Sequence, residues 1–302
     1  MEQVDGFLNV CKPLGWTSHD VVGFVRRRIG QRRVGHAGTL DPAAAGVLPL
    51  CLGRATRLAE RVAGGTKVYG ADIVLGVTTD SGDADGRVLD ARPAPACGLP
   101  ALVRALSAQL GRIAQVPPSY SALKLQGVPA YARVRRGEVV ALSPREVTIH
   151  ALAIVDWQPP RLSVIIHCSK GTYVRALARD LGEVLDCGAH LDALVRLAVG
   201  SFRLETAISL DELEAAIAQD FWRDLVLPPD AALAEQPALI LDDSAPRHFL
   251  HGQGWPGPAL SPQARAYGAD GAFLGLARAE SGGLRWQPAL SFVYDPAVTA
   301  DA

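Results

Sequence analysis

The sequence predicts an α+β fold in which helices flank a mixed, largely antiparallel sheet. Three segments predict the sheet because apolar and polar residues alternate along them: Val68–Val77, Arg145–Trp157 and Arg161–Ser169. Helical spacing of apolar residues predicts helices between strands, as in Leu99–Leu110. The last ~65 residues are rich in Gly and Pro and carry short apolar runs, which predicts a small, mainly β module at the end of the chain.

Composition excludes several classes of protein. The chain has 302 residues, of which 49% are hydrophobic and 20% charged, as in ordinary globular proteins. No apolar run is long enough to span a bilayer, and two acids precede the first apolar run, which excludes a signal peptide. The five cysteines are odd in number, without a C-x-x-C pair, and predict reduced, buried thiols in a cytoplasmic protein: Cys11, Cys51, Cys97, Cys168 and Cys187.

Charge is nearly balanced overall, at a net −1, but arginines cluster locally. The clusters lie at Arg26–Arg33, at Arg54, Arg57 and Arg61, and at Arg133, Arg135 and Arg136. Two interpretations stay open: a face that follows phosphates of a nucleic acid, or solvated faces of separate helices.

The first third of the chain predicts alternating strands and helices. In order, the segments are a buried strand at Gly6–Cys11, a turn at Lys12–Gly15, a helix capped by Thr17 or Ser18 and ending at Gly30, a strand at Val47–Leu52, and a helix over Ala55–Val62.

The middle and end of the chain continue the pattern. In order, the segments are strand Val68–Val77, a turn at 78–86, helix Leu99–Leu110, a strand pair at 145–169, helix Gly171–Leu185, further strand at Ala189–Val199, a helix opened by the capping box Ser209 and Glu212, and apolar runs at Leu239–Leu241, Ala272–Ala277 and Leu290–Val293.

One stretch combines many small residues with a single acid. Gly35–Pro49 reads G-H-A-G-T-L-D-P-A-A-A-G-V-L-P, and Asp41 is its only acidic residue. The small side chains predict that something large approaches the backbone closely, and Pro42 pushes Asp41 out of the helical region. Asp41 is therefore a candidate nucleophile or base on a stiff loop; the alternative is a helix N-cap with Pro42 at the first helical position.

Two further segments have ambiguous patterns. The turn T-T-D-S-G-D-A-D-G at 78–86 superficially resembles a calcium loop, but Ser81 and Arg92 would occupy the first and last ligand positions, so we reject a calcium site. In the segment 117–137, aromatic and basic residues interleave with turn residues. That segment is either an insertion that grips RNA or an ordinary loop and helix.

Five motifs together resemble one family. The central run closely resembles the signature of tRNA pseudouridine(55) synthases of the TruB family. Four other segments resemble the family's motifs in the same order: V-C-K-P-L-G-W-T-S-H-D-V-V, T-K-V-Y-G-A-D-I-V-L-G with its acidic turn, P-P-S-Y-S-A-L-K with A-Y-A-R, and C-S-K-G-T-Y-V-R-A-L-A-R-D-L-G with G-A-H-L. The resemblance covers about residues 6 to 200.

The resemblance implies a domain organisation. We expect a catalytic domain of the pseudouridine synthase fold at 1–228, with an RNA-gripping insertion at about 112–143. A linker at 229–237 would lead to a small, mainly β module of the PUA type at 238–302, since the linker is rich in Pro and Ala.

The resemblance also implies an activity. Members isomerise uridine to pseudouridine in the T-loop of tRNA without metal or cofactor, so the expected partner is a tRNA T-stem-loop, and no obligate protein partner is inferred. Asp41 would be the nucleophile or base, and its attack on ribose C1′, attack on base C6 or removal of a ribose proton all stay open.

The other site residues are carried over from the family's motifs. Arg175 would pair with Asp41, while Tyr69 would stack on the flipped base. Tyr173 and Leu194 would complete the pocket. His36 would contact RNA where the base has left, and Lys12 and the arginine clusters would bind phosphates. Without the resemblance, Arg175 would be assigned to a helix surface, and Tyr69 and Leu194 to the core.

Two rival functions and one departure remain. A glycosidic-bond hydrolase would need a second carboxylate near Asp41, and a non-catalytic RNA-binding module would not need Asp41 at all. The chain also departs from some members, which have two basic residues after the pocket leucine, whereas here Val195 precedes Arg196. One RNA backbone contact is therefore in doubt, and the chemistry is not.

Overall fold

The structure is a computed structural model. It describes residues 3–93, 98–121, 123–125, 127–134, 136–138, 140–258, 261–280 and 284–293. Cys97 and Arg135, part of the predicted insertion and the last nine residues lie outside the described residues.

The strands, in chain order, are β1 Gly6–Lys12, β2 Val34–His36, β3 Ala44–Leu52, β4 Lys67–Leu75, β5 Val77–Thr79, β6 Val88–Ala91, β7 Gly111–Gln115, β8 Lys124–Leu125, β9 Val128–Pro129, β10 Arg145–Gln158, β11 Arg161–Cys168, β12 Ala189–Val199, β13 Phe202–Arg203, β14 Ala238–Ile240, β15 Trp255–Pro256, β16 Gln263–Tyr267, β17 Phe273–Ala279 and β18 Arg285–Ser291. The helices are α1 Ser18–Ile29, α2 Ala59–Gly64, α3 Leu99–Ser107, α4 Ala130–Val134, α5 Val174–Val184, α6 Leu210–Ala218 and α7 Ala245–His251.

The main sheet has the strand order β1-β3-β12-β4-β11-β10-β7, with β2 beside β3 and β13 beside β12. Among the described residues, β3 and β12 form its only parallel pair, and the other pairs are antiparallel. The prediction of a mixed, largely antiparallel sheet flanked by helices is confirmed.

Strands β1 and β3 are apolar on both faces because both faces are covered. Leu8 and Val10 pack with α1 and α6 on one face, whereas Phe7 and Cys51 join a second cluster on the other. Such strands appear in the sequence as continuous apolar runs. Strand β4 instead alternates buried and half-buried residues, and its buried side faces α3 and α5.

Two predicted elements differ in their bounds. The strand predicted over Val68–Val77 is broken at Gly76, whose φ of 95° favours glycine and turns the chain into β5. The helix predicted from Gly171 begins only at Val174, because Tyr173 is extended and caps it. Both differences follow from backbone geometry that hydrophobic periodicity does not report.

The C-terminal residues form a second sheet, with the order β14-β16-β17-β18-β15 and α7 beside it. It confirms the predicted small, mainly β, PUA-like module. Leu276 and Phe292 of this region share a buried cluster with Phe7 and Val199 of the main sheet. Apolar burial therefore continues across the predicted domain boundary.

Among the described residues, no cysteine forms a disulfide, and three of the four are buried. Burial raises the pKa of Cys51 to about 12 and that of Cys168 to about 11, so both thiols stay protonated at neutral pH. No helix in the described part of the chain combines the length and apolarity needed to cross a membrane.

Candidate functional site

Asp41 lies in the loop between β2 and β3. Its backbone carbonyl accepts a hydrogen bond from the Ala44 amide at 3.0 Å, so Asp41 and Pro42 open a tight turn into β3. The Pro42 carbonyl accepts a hydrogen bond from the Gly15 amide at 2.9 Å, which ties the loop to the turn after β1. The alternative of a helix N-cap is therefore wrong, and the Asp41 side chain, 46% exposed, projects from a fixed turn.

Two glycines of the central motif have backbone angles that favour glycine. Gly38 and Gly46 have φ values of 109° and 108°. A Cβ on Gly46 would lie 2.3 Å from the carbonyl oxygen of Arg196, because β12 runs directly beside it. The close approach predicted from the small residues is thus made, at Gly46, by a neighbouring strand and not by a substrate.

Arg175 extends from the first turn of α5, and its side chain is only 8% exposed. Its Nη2 donates to the Asp41 carboxylate at 2.7 Å and to the Tyr120 carbonyl at 2.9 Å. Its Nη1 donates to the Ser81 carbonyl at 3.2 Å and lies 3.3 Å from the Asp83 carboxylate. The guanidinium therefore bridges two carboxylates, whereas the sequence predicted a partnership with Asp41 alone.

Asp83 is a residue that the sequence analysis did not assign to the site. It lies in the turn 78–86, where the Ser81 hydroxyl donates to its carboxylate at 2.5 Å and the Thr79 hydroxyl donates to its carbonyl at 2.7 Å. Its side chain is 16% exposed. The available signal was the run of acids and small residues in that turn, which has no periodicity and gave no indication of its partner.

A cavity of about 290 Å³ opens beside this pair. Its walls include four carboxylates, the bridging arginine and the predicted pocket leucine: Asp41, Asp83, Asp85, Asp192, Arg175 and Leu194. Leu194 lies on β12, opposite Ala44 of β3. The pairing of these two strands positions Leu194 next to the Asp41 loop. The cavity combines an apolar wall with a charged end, as small-molecule and base pockets do.

The two predicted tyrosines lie on different elements around the site. Tyr69 is 8% exposed on β4 and packs in the same cluster as Leu40 and Ala44. Burial raises the pKa of Tyr69, so its hydroxyl is neutral at physiological pH. Tyr173 is half-buried at the start of α5, where its backbone amide donates to the Gln115 side chain at 2.8 Å.

His36 ends β2, five residues before Asp41. Its Nδ1 is buried and has no hydrogen-bond partner within the described residues. Burial lowers the pKa of His36, and the charges of Arg196 and His19 lower it further, so its ring is neutral at physiological pH. A buried polar atom without a partner is unusual and is consistent with a partner that arrives from outside.

Lys12 lies elsewhere than predicted. Its side chain is fully buried, and its ammonium donates to the carbonyls of Trp16 at 2.7 Å, Pro13 at 2.9 Å and Pro42 at 3.4 Å. Burial lowers the pKa of Lys12 to about 8, although the charge of Asp41 partly offsets this effect. Lys12 therefore fastens the Asp41 loop from inside, and the expectation that it binds a phosphate does not fit its burial.

The second arginine cluster also has a different surrounding. Arg54 and Arg57 donate to the carbonyls of Phe292 and Ser291, and Arg61 donates to the side chain of Gln263. These three arginines therefore hold the C-terminal sheet. In the first cluster, Arg28 pairs with Glu214 at 2.5 Å, while Arg27 and Arg32 are exposed to solvent.

Comparison with known proteins adds family matches over most of the chain. The model of the TruB family pseudouridylate synthase N-terminal domain matches residues 26–174, and that of the tRNA pseudouridylate synthase B C-terminal domain matches residues 175–234. A tRNA pseudouridine synthase B of Burkholderia mallei (strain NCTC 10247) is 44% identical over 288 residues, covering 92% of this chain and 94% of the relative. One of Xanthomonas campestris pv. campestris (strain B100) is 44% identical over 280 residues, covering 92% and 91%.

Solved structures share the fold. The chain superposes with a TM-score of 0.74 on a structure of an H/ACA RNP bound to a substrate RNA containing 2′-deoxyuridine, at 22% identity, covering 96% of this chain and 85% of that one. The TM-score is 0.73 for a Cbf5-Nop10-Gar1 complex, at 24% identity and coverages of 92% and 79%. The structural matches establish the architecture, and the extent of the sequence matches establishes the lineage: this chain belongs to the TruB family of pseudouridine synthases.

Proposed function

We propose that this protein isomerises uridine to pseudouridine in the T-loop of tRNA, with Asp41 as the nucleophile or base. The observation that carries the proposal is the Asp41–Arg175 contact of 2.7 Å at the edge of a cavity, in a chain of this family. The same activity is named for relatives that are 44% identical over nearly their whole length.

The reaction breaks the bond between ribose C1′ and base N1 and forms one between C1′ and C5. The proton leaves C5 and N1 gains one, so the RNA keeps its composition and no redox partner is required. A half-exposed carboxylate on a rigid turn suits either nucleophilic attack or proton removal, since both need one fixed geometry. Arg175 fixes the direction of the Asp41 carboxylate through the hydrogen bond of 2.7 Å.

The target base must leave its stack before it can reach the cavity. We propose that Tyr69 stacks on it, with Tyr173 and Leu194 as the further walls of the pocket. Leu194 lines the cavity, Tyr69 packs in the same cluster as Leu40 and Ala44, and Tyr173 lies two residues before Arg175. The unpartnered Nδ1 of His36 would meet RNA at the position the base has left.

The domain organisation belongs to the same proposal. A catalytic domain at 1–228 would hold the site, an insertion at about 112–143 would grip the RNA, and the PUA-like module at 238–302, after the linker 229–237, would add contacts to the tRNA. We also propose that the protein acts in the cytoplasm, because its proposed substrate is tRNA.

A glycosidic-bond hydrolase is the main rival, because a second carboxylate is present near Asp41: the same cavity is lined by Asp83, Asp85 and Asp192. A hydrolase requires one carboxyl group to donate a proton to the leaving group. Asp83 instead lies 3.3 Å from the Arg175 guanidinium and accepts the Ser81 hydroxyl, which is the environment of an acceptor. This environment argues against Asp83 as the proton donor. Asp85 and Asp192 meet the hydrolase's need for a second carboxylate, so the preference for the synthase rests on the family match.

The test is incubation with a tRNA T-stem-loop RNA followed by carbodiimide mapping of pseudouridine. We expect one modified uridine in an intact strand. Free uracil with an abasic site would identify a hydrolase, and tight binding with an unchanged RNA would identify a binding module. The two rival functions therefore give products that differ from pseudouridine and from each other.

A further inference from the structure

Arg196 is a buried cation to which the proposed reaction assigns no role. It lies on β12, two residues after Leu194, and only 1% of it is exposed. Burying a guanidinium costs free energy unless its donors are satisfied, so such a residue needs a structural or functional explanation. Its burial also excludes the contact with RNA phosphates that a basic residue after the pocket leucine suggested.

The Arg196 side chain donates hydrogen bonds to three backbone carbonyls of the central motif, and the Tyr69 phenol is a further partner. Nε donates to the carbonyl of Val47 at 2.8 Å, Nη1 to that of Thr39 at 3.1 Å and Nη2 to that of Gly38 at 3.1 Å. Gly38 and Thr39 immediately precede Leu40 and Asp41, whereas Val47 follows the turn. One guanidinium therefore fastens both arms of the loop that carries Asp41.

The backbone of Arg196 makes a second attachment to the same loop. It pairs with Gly46 across the parallel strands β12 and β3, and the glycine is needed there because a Cβ would lie 2.8 Å from the Arg196 amide nitrogen. The Cβ position of Gly38 also lies 3.9 Å from Nη1. The side chain and the backbone of one residue thus set the position of both glycines that flank Asp41.

The groups around the Arg196 guanidinium include two residues of the proposed site. Burial lowers the pKa of Arg196, while the phenol of Tyr69 and the charge of Asp41 act in the opposite direction. Tyr69 and Asp41 are two residues to which the proposed reaction assigns a role. Among the described residues, no carboxylate forms an ion pair with Arg196, and its donors are engaged by the loop carbonyls and the Tyr69 phenol.

We infer that Arg196 is a positioning residue that holds the Asp41 loop in its catalytic conformation. Arg175 orients the Asp41 carboxylate from the cavity side, and Arg196 orients the backbone beneath it. This inference rests on the proposed function, since it concerns the aim of the same carboxylate.

The geometry predicts how substitutions differ. Arg196→Met keeps much of the buried apolar stem but leaves the carbonyls of Gly38, Thr39 and Val47 without a donor. Arg196→Lys keeps a charge, but its single ammonium cannot span the positions that three guanidinium nitrogens reach. We expect a lower rate of the chemical step and an unchanged affinity for RNA, because Arg196 is too deeply buried to touch the RNA.

The experiment measures the single-turnover rate and the Kd for a T-stem-loop RNA with wild type, Arg196→Met and Arg196→Lys, after circular dichroism and thermal melting have shown which variants fold. We expect Arg196→Met to lose about 10²-fold in rate, the loss that a misplacement of about 1 Å can cause, with Kd changed by less than about threefold. Arg196→Lys should recover part of this loss. The matched control is Arg203→Met, because Arg203 also donates to backbone carbonyls, those of Gly200 and Phe202, but is exposed and does not touch the loop.

Three outcomes overturn the inference. A folded Arg196→Met variant with the wild-type rate would show that the loop keeps its aim without the guanidinium. Weaker binding at an unchanged rate would make Arg196 a binding residue, and an unfolded Arg196→Lys variant would make it a residue of global stability. If only Arg196→Met fails to fold, the rate of Arg196→Lys decides. A rate below that of wild type, with a similar Kd, supports the inference, and the wild-type rate overturns it. An inactive wild-type protein would refute the proposed function itself, which separates the two failures.

Discussion

At the scale of single residues, the site depends on one guanidinium shared by two carboxylates of unequal exposure. Asp41 is 46% exposed and Asp83 only 16% exposed, although both lie within 3.3 Å of Arg175. Asp83 anchors the arginine from the protein side, and Asp41 remains accessible to a substrate. In the proposed function, this difference in exposure suits Asp83 to holding the arginine and Asp41 to reacting with the substrate.

Substitution of Arg175 should therefore affect chemistry more than folding. Arg175→Lys keeps the charge but cannot bridge two carboxylates and two carbonyls, so we expect a single-turnover rate lower by about 10²-fold. Arg175→Ala should lose more, since it leaves both carboxylates without their cation. Rates with a T-stem-loop RNA test the order of the variants, and a lysine variant with the wild-type rate would contradict the bridging role.

Lys12 gives a prediction about stability and pH. Its pKa in the folded protein is about 8, below its ordinary value of 10.5. Between these values the unfolded chain holds a proton that the folded protein has released, so the contribution of Lys12 to stability is least favourable below pH 8 and improves as pH rises. The free energy of unfolding of wild type minus that of Lys12→Met should increase by roughly 1 kcal/mol per pH unit between pH 8 and 10.

Urea titrations of both proteins at several pH values measure this difference. A variant with normal folding and a difference that is flat or falls with pH would show that the Lys12 ammonium is not buried as described.

The residues of the site were predictable to different degrees. Asp41 and Arg175 were paired through the resemblance of their motifs, and the structure places them in contact. The contacts of Asp83 and Arg196 were not predicted. Asp83 meets Arg175, 92 positions away, and Arg196 meets Val47, 149 positions away, and no periodicity in the sequence encodes such distant contacts. Lys12 was assigned to phosphates through the resemblance of its motif, whereas in the structure its buried ammonium donates to three backbone carbonyls.

At the scale of elements, the parallel pairing of β3 with β12 determines where the Asp41 loop can lie. Gly46 makes this pairing possible because no side chain separates it from the Arg196 backbone. Gly46→Ala adds a Cβ at 2.3 Å from a carbonyl oxygen and also places alanine at a φ of 108°. We expect a loss of more than about 3 kcal/mol in the free energy of unfolding, beyond the usual 1–3 kcal/mol for backbone strain alone.

A matched control separates strain from collision. Gly111 also has a positive φ, of 81°, but nothing lies within 4 Å of its Cβ position. Gly111→Ala should therefore show the strain without the clash. Equal losses for the two variants in urea denaturation would show that β3 and β12 do not approach as closely as described.

Elements were predicted well where periodicity was long. The strand pair at 145–169 and the strand at Ala189–Val199 match β10, β11 and β12 within a residue or two. The break at Gly76 and the late start of α5 were missed, since each depends on one backbone angle. The Asp41–Pro42 pair was ambiguous for the same reason, because a turn and a helix start use the same residue types.

At the scale of the whole molecule, the C-terminal sheet is attached by both polar and apolar contacts. Arg54 and Arg57 donate to its carbonyls, and Leu276 and Phe292 join the cluster that contains Phe7. The sequence predicted a small module that follows a linker at 229–237, and the arginines gave no indication of their partners in that module. Local sequence patterns do not predict contacts between segments that are distant in the sequence.

Truncation after residue 237 should reveal the attachment. Removal of Leu276 and Phe292 uncovers apolar surface, and each buried side chain of this kind contributes about 1.5–3 kcal/mol. We expect the remaining chain to melt at a lower temperature and to bind tRNA more weakly. An unchanged melting temperature with weaker binding would instead support an independent module that serves the RNA alone.

The most direct test of the account is the activity of Asp41→Asn. The substitution keeps size and shape but removes the charge, and asparagine is a poor nucleophile and a poor base. Asp85→Asn removes a charge from the same cavity and should lose far less. With a T-stem-loop RNA, Asp41→Asn should form no detectable pseudouridine while its Kd stays close to that of wild type, because phosphate contacts and base stacking do not need Asp41. Substantial turnover by this variant, free of contaminating enzyme and of deamidation, would contradict the central claim.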